Sequence, residues 1–152
     1  MKIRHRYVSP GHNYFGHHGG WAGTHPILEV PQIEGVASHG IRGDRRFDFK
    51  ENYQGQITFF ALEVHQELGR ELPLAGRSAA GYRRNVITEG ADLNSLIGSE
   101  FEVQGVRFCG RSECSPCHWM DQASAAGAEK FLQSRGGLRA TILTDGMLHA
   151  DS

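Results

Sequence analysis

The chain has 152 residues, 39% hydrophobic and 22% charged, enough apolar material to bury one core but not two. Sixteen Lys and Arg against seventeen Asp and Glu leave a formal net charge of -1, which excludes a chain built as a whole for nucleic acid or an anionic membrane, so any anion site must be local. No apolar run is long enough to span a bilayer, no apolar signal segment follows the basic start Met1 to Tyr7, and three cysteines are too few for a disulfide framework; the expectation is one cytoplasmic domain over 1–152, whose thiols serve redox or metal chemistry.

Twenty glycines spread along the chain mark sharp turns between short elements, the pattern of a mainly β fold with long loops. Lys2 to Val8 reads as a strand, followed by a donor-rich loop over 9–20 that holds His12, Asn13, His17 and His18. Ile27 to Val36 is rich in β-branched residues but is interrupted by Pro31, which predicts an edge strand or a bulge. Phe60, Val64, Leu68 and Leu72 recur at every fourth position of Phe59 to Leu72, one stripe of an amphipathic helix that Pro73 stops. Glu100 to Phe108 alternates apolar and polar residues around Gln104-Gly105 and predicts a hairpin. Gln122 to Arg135 predicts a second helix, closed by Gly136-Gly137. Leu138 to Thr144, Asp145-Gly146 and Met147 to His149 predict a last hairpin with an Asp-Gly turn.

The string Cys114-Ser-Pro-Cys117-His118 admits several chemistries. It matches the attachment motif of c-type haem, but that chemistry belongs to exported, helix-rich proteins. A thioredoxin-like pair would follow the first strand of a βαβ unit, whereas here the string lies late, behind a hairpin. Structural zinc could use Cys109, Cys114, Cys117 and His118, at spacings that fit no common zinc ribbon. Cys109 reads as a small buried residue on a strand. Adjacent His17 and His18 point different ways in most backbone conformations, which argues against a metal site in their loop.

Four blocks together resemble the MOSC domain family, found at the C-terminus of molybdenum cofactor sulfurases and in free-standing bacterial proteins. They are Gly40-Ile-Arg-Gly-Asp-Arg-Arg-Phe47, Tyr82-Arg-Arg-Asn85 through Gly98, Cys114-Ser-Pro-Cys117, and Arg135-Gly-Gly-Leu138 through Gly146. The resemblance implies a β-barrel-like core with a few peripheral helices. It also implies that Cys117 is the reactive thiol and the metal ligand, since in the similar amidoxime-reducing enzymes the second cysteine of a Cys-Ser-x-Cys string binds molybdenum. A thiolate is a soft donor suited to that metal, and it can equally carry a persulfide sulfur.

Molybdopterin ends in a phosphate, so its site calls for cations or converging N–H groups. The candidates are Arg42 and Arg45 in the glycine-rich block, Arg83 and Asn85 in the second, Ser115 beside the thiol, and His12 in a loop near the position where relatives approach the pterin. Arg42, Arg45 and Arg46 read equally well as a solvated loop with one arginine on Asp44, and Asn85 as a turn cap. Two functions follow from the resemblance. In one, molybdenum cofactor bound through Cys117 reduces N-hydroxylated bases or related N–O compounds, with electrons from a partner protein. In the other, Cys117 accepts sulfur from a cysteine desulfurase and passes it on; the pyridoxal phosphate of that reaction belongs to the partner, because no lysine motif for it is present here. Oligomeric state is not legible in the sequence.

Overall fold

Alternating strands dominate the regular structure of this molecule. A computed structural model describes residues 1–11, 27–72, 78–115 and 127–151. Seven strands form one sheet: β1 (Lys2–Val8), β2 (Leu28–Glu29), β5 (Ile57–Ala61), β6 (Val86–Glu89), β7 (Glu100–Val103), β8 (Val106–Glu113) and β9 (Leu138–Ile142), in the order β2-β1-β6-β5-β9-β8-β7. A second sheet orders β10 (Gly146–His149), β3 (Gln32–Val36) and β4 (Gly40–Ile41) as β10-β3-β4. Among the described residues the strands named here pair antiparallel except β5 with β6, whose crossover carries helix α1 (Leu62–Glu71). The fold is mainly β with small helices, as expected, while the larger sheet ends at β2 and β7 and forms no closed barrel among the described residues.

Side chains of period two divide the interior in two. Ile57 and Phe59 of β5 and Val86 of β6 join Ile3, Phe108, Leu138 and Ile142, packed with Ile33, Ile41 and Leu148 of the smaller sheet. Phe60 and Ile87, one position along, join Tyr7, Leu68, Tyr82 and Leu132 on the helical side. Buried side chains of this size are each worth about 1.5–3 kcal/mol, so both clusters contribute substantially to the fold. No helix among the described residues is long and apolar enough to cross a membrane.

Strand Lys2–Val8 and the hairpin at Gln104-Gly105 form as predicted; both turn residues have positive φ, 51° and 80°. Pro31 splits its segment into two strands in different sheets, with β2 at an edge. Phe59 to Ala61 is strand rather than helix, yet Phe60, Val64, Leu68 and Leu72 still meet in one cluster, because α1 folds back on the face that Phe60 presents. Of the predicted second helix, 122–126 lie outside the described residues; within 127–135 only α2 (Ala128–Phe131) is helical, and turns follow through Arg135.

The predicted last hairpin does not form. Strand β9 pairs with β5 and β8, whereas β10 pairs with β3 in the other sheet. Gly146 lacks the positive φ of an Asp-Gly hairpin turn. Asp145 instead accepts the Ala37 N–H through Oδ1 at 2.7 Å, and Thr144 accepts the Arg107 N–H through Oγ1 at 2.9 Å. These bonds replace the turn and send the chain from one sheet to the other.

Candidate anion-binding site

The segment Arg83-Arg84-Asn85 enters β6 from a 3₁₀ turn, Ala79–Tyr82, and its first residue adopts left-handed backbone, φ 57°. A non-glycine residue there is uncommon and is found at constrained sites. Arg83 Nη2 donates to Gly11 O at 2.7 Å. Arg84 donates through Nε to Gly136 O at 2.9 Å, through Nη1 to Tyr82 O at 2.9 Å, and through Nη2 to Cys114 O at 3.3 Å. Both arginines are buried. Arg84 thus joins three loops through carbonyl dipoles, and its charge remains available to the cavity beside it.

Asn85 ties those arginines to the glycine-rich block. Its Oδ1 accepts from Thr58 N at 3.0 Å and Thr58 Oγ1 at 3.1 Å, while Nδ2 donates to Tyr7 O at 3.2 Å and Asp44 Oδ1 at 3.3 Å. The amide's two acceptor and two donor positions are all in use within the protein. Asp44 is buried and accepts further from Ser9 N at 2.9 Å and Arg46 N at 3.2 Å, which fixes the turn carrying Arg45 and Arg46.

Arg45 lies 3.8 Å from Asp44 Oδ1 with only 13% of its side chain exposed. Burial lowers its pKa to about 10; Asp44 opposes that, while Arg83, Arg46 and Arg84 add to it. It stays protonated at neutral pH in a cluster of like charges that a bound anion would relieve. Arg46 stacks over Phe49 and Tyr53 at 4.5 and 5.4 Å, and Arg139 of β9 also reaches the Tyr53 ring at 5.4 Å.

These groups surround a cavity of about 330 Å³ whose lining includes Arg45, Arg46, Arg83, Arg84 and Arg139 against Asp44 and Glu113, a formal charge of +3. Its size is that of a small-molecule pocket. Cys114 and Ser115, leaving β8, line it as well; Cys114 is half-buried, with its N–H on Gly137 O at 2.8 Å, and Ser115 is exposed. Glu113 Oε1 is buried and receives no hydrogen bond among the described residues.

Of the residues singled out by sequence, Arg45, Arg83, Asn85 and Ser115 converge on this cavity. Arg42 does not: it is exposed, pairs with Glu34 at 2.8 Å and covers Phe47. Cys117 and His12 lie outside the described residues. Cys109 is half-buried rather than fully buried. Arg84, noted in the sequence beside Arg83 as a further cation, also lines the cavity, whereas sequence reasoning missed Arg139 and Tyr53. Arg139 had a signal as a charge inside the apolar run Leu138 to Ile142.

No protein-family model matches the chain, and no curated protein matches it. Solved structures do. The YuaD protein of Bacillus subtilis is similar with a TM-score of 0.77 at 16% identity, over 98% of this chain and 91% of that one. YiiM of Escherichia coli is similar with a TM-score of 0.67 at 16% identity, over 99% and 67%, and a hypothetical protein with a TM-score of 0.68 at 16%, over 99% and 66%. YuaD and YiiM are MOSC-type proteins, and at these identities the likeness establishes a shared, MOSC-like fold.

Proposed function

We propose that the arginine-lined cavity holds the phosphate end of molybdenum cofactor, that Cys117 ligates the molybdenum, and that the protein reduces N-hydroxylated bases or related N–O compounds. The observation that carries this reading is the convergence of five arginines on a cavity with two carboxylates. Guanidinium forks match phosphate oxygens and bind them bidentately, so the residues present fit that end of the cofactor. Cys117 is two residues beyond Ser115 at the cavity wall, and two residues of chain reach at most about 7 Å.

When bound, the cofactor supplies the redox centre that accepts electrons from a partner protein. The chain's own residues do the rest. Arg45 and Arg83 hold the phosphate, Asn85 and Asp44 set the loops that present them, and Arg84 fastens the chain leading to Cys117.

Expression in cells competent for molybdopterin synthesis, followed by molybdenum and pterin analysis per chain, tests the proposal. Stoichiometric metal in the wild type, lost in Cys117→Ala, is the expected result. Metal-free protein that acquires a persulfide on Cys117 from a cysteine desulfurase would replace this function with sulfur transfer.

A further inference from the structure

Two cations of the cavity are not accounted for by one phosphate. The guanidinium carbons of Arg46 and Arg139 each lie 5.4 Å from the centre of the Tyr53 ring. These contacts orient the guanidinium groups and use none of their N–H donors. Neither guanidinium donates a hydrogen bond to another described residue, whereas Arg84 places three of its donors on carbonyls. Gly55 is part of the arrangement: a Cβ there would stand 2.9 Å from Arg139 Nε and 3.0 Å from Nη2. The glycine lets this guanidinium lie against the backbone at the cavity wall.

Register separates Arg139 from the Arg83–Asn85 side. Arg139 pairs across the sheet with Thr58, and Thr58 bonds to Asn85 at the entry of the neighbouring strand β6. Two strand spacings are about 10 Å, room for a second phosphate beside the first. Charge is compatible: a phosphate ester carries about −1.5 to −2 near neutral pH, so one leaves the +3 lining at about +1 to +1.5 and a second brings it to between about 0 and −1.

We propose that Arg46 and Arg139, held on Tyr53, form a second anion subsite, and that the substrate is itself a phosphate ester, for an N-hydroxylated base the nucleoside monophosphate. The N–O group of that substrate rests on the function proposed above; the subsite rests on the cavity alone.

Equilibrium dialysis of pterin-free protein against inorganic phosphate tests the subsite. Two phosphates bind per wild-type chain and one in Arg139→Leu or Arg46→Leu, two variants on separate elements so that misfolding of one does not remove the test. Gly55→Ala, which crowds Arg139 without removing it, weakens the second phosphate at least tenfold. Adenosine monophosphate displaces phosphate from the wild type and adenosine does not. Fewer than two phosphates in the wild type, two in both variants, or equal displacement by adenosine overturns the proposal. Pterin content is measured separately on protein from competent cells, so its absence would remove the cofactor reading and leave the phosphate count to decide the subsite.

Discussion

Arg84 Nη2 donates to Cys114 O at 3.3 Å, joining the entry of β6 to the exit of β8 across 30 residues of sequence. The same guanidinium holds Gly136 O and Tyr82 O, both at 2.9 Å. Arg84→Met leaves three carbonyls without a donor in a buried setting and is expected to cost about 3 kcal/mol, read from urea unfolding at neutral pH. Arg84→Lys, whose ammonium cannot span the three acceptors, recovers less than half of that. A loss under about 1 kcal/mol in Arg84→Met contradicts the clamp.

Asn85 and Asp44 share one contact in which the donor cannot be exchanged for an acceptor. Asn85→Asp replaces Nδ2, 3.3 Å from Asp44 Oδ1, with a second carboxylate oxygen. Like charges at that distance in a buried place are expected to destabilise by about 3 kcal/mol at pH 7, and less at pH 4, where one of the pair takes up a proton. Thermal unfolding at the two pH values measures the difference. A penalty that is the same at both would argue against a buried contact.

His65 gives the fold a pH dependence of definite sign. Its pKa is lowered from 6.5, by burial first and by His5 second, and its Nδ1 lies 2.7 Å from the Tyr82 hydroxyl. Since the folded state binds the proton less readily than the unfolded chain, the stability it contributes is complete above 6.5 and is lost as pH falls from 6.5 through the lowered folded value. Urea midpoints of the wild type therefore fall between pH 7.5 and 5.5 more steeply than those of His65→Gln. Equal slopes would contradict this assignment.

Gly137 and Gly90 separate crowding from backbone strain. Both have positive φ, 104° and 84°, but a Cβ on Gly137 would collide with Phe59 O, while one on Gly90 meets nothing within 4 Å. Gly137→Ala is expected to cost about 3 kcal/mol or more, and Gly90→Ala about 1 kcal/mol. Differential scanning calorimetry would show the first variant melting several degrees below the second.

Local patterns were legible in the sequence, and long-range partners were not. Lys2–Val8 and the Gln104-Gly105 hairpin follow from alternation and turn chemistry, which are complete within a few residues. Asp145-Gly146 carries an equally good turn signal, but the Ala37 N–H, 108 residues away, takes the Asp145 carboxylate and the hairpin is lost. Arg42 and Arg45 look alike as neighbours in one block. Their fates diverge because Glu34 takes Arg42 outward, while the buried Asp44 turns Arg45 into the cavity. Arg139 was overlooked for the same reason: nothing near it in sequence says that Tyr53 and Gly55 will be waiting across the sheet.

That divergence supplies the most direct test that this cavity receives the cofactor phosphate. Pterin per chain is measured in protein from molybdopterin-competent cells for the wild type, Arg45→Gln and Arg42→Gln. Loss of one charge-assisted contact to phosphate is worth about 1.5–3 kcal/mol, so Arg45→Gln should weaken retention at least tenfold while Arg42→Gln retains pterin at the wild-type level. Equal retention in both variants, or loss in Arg42→Gln alone, would contradict the account.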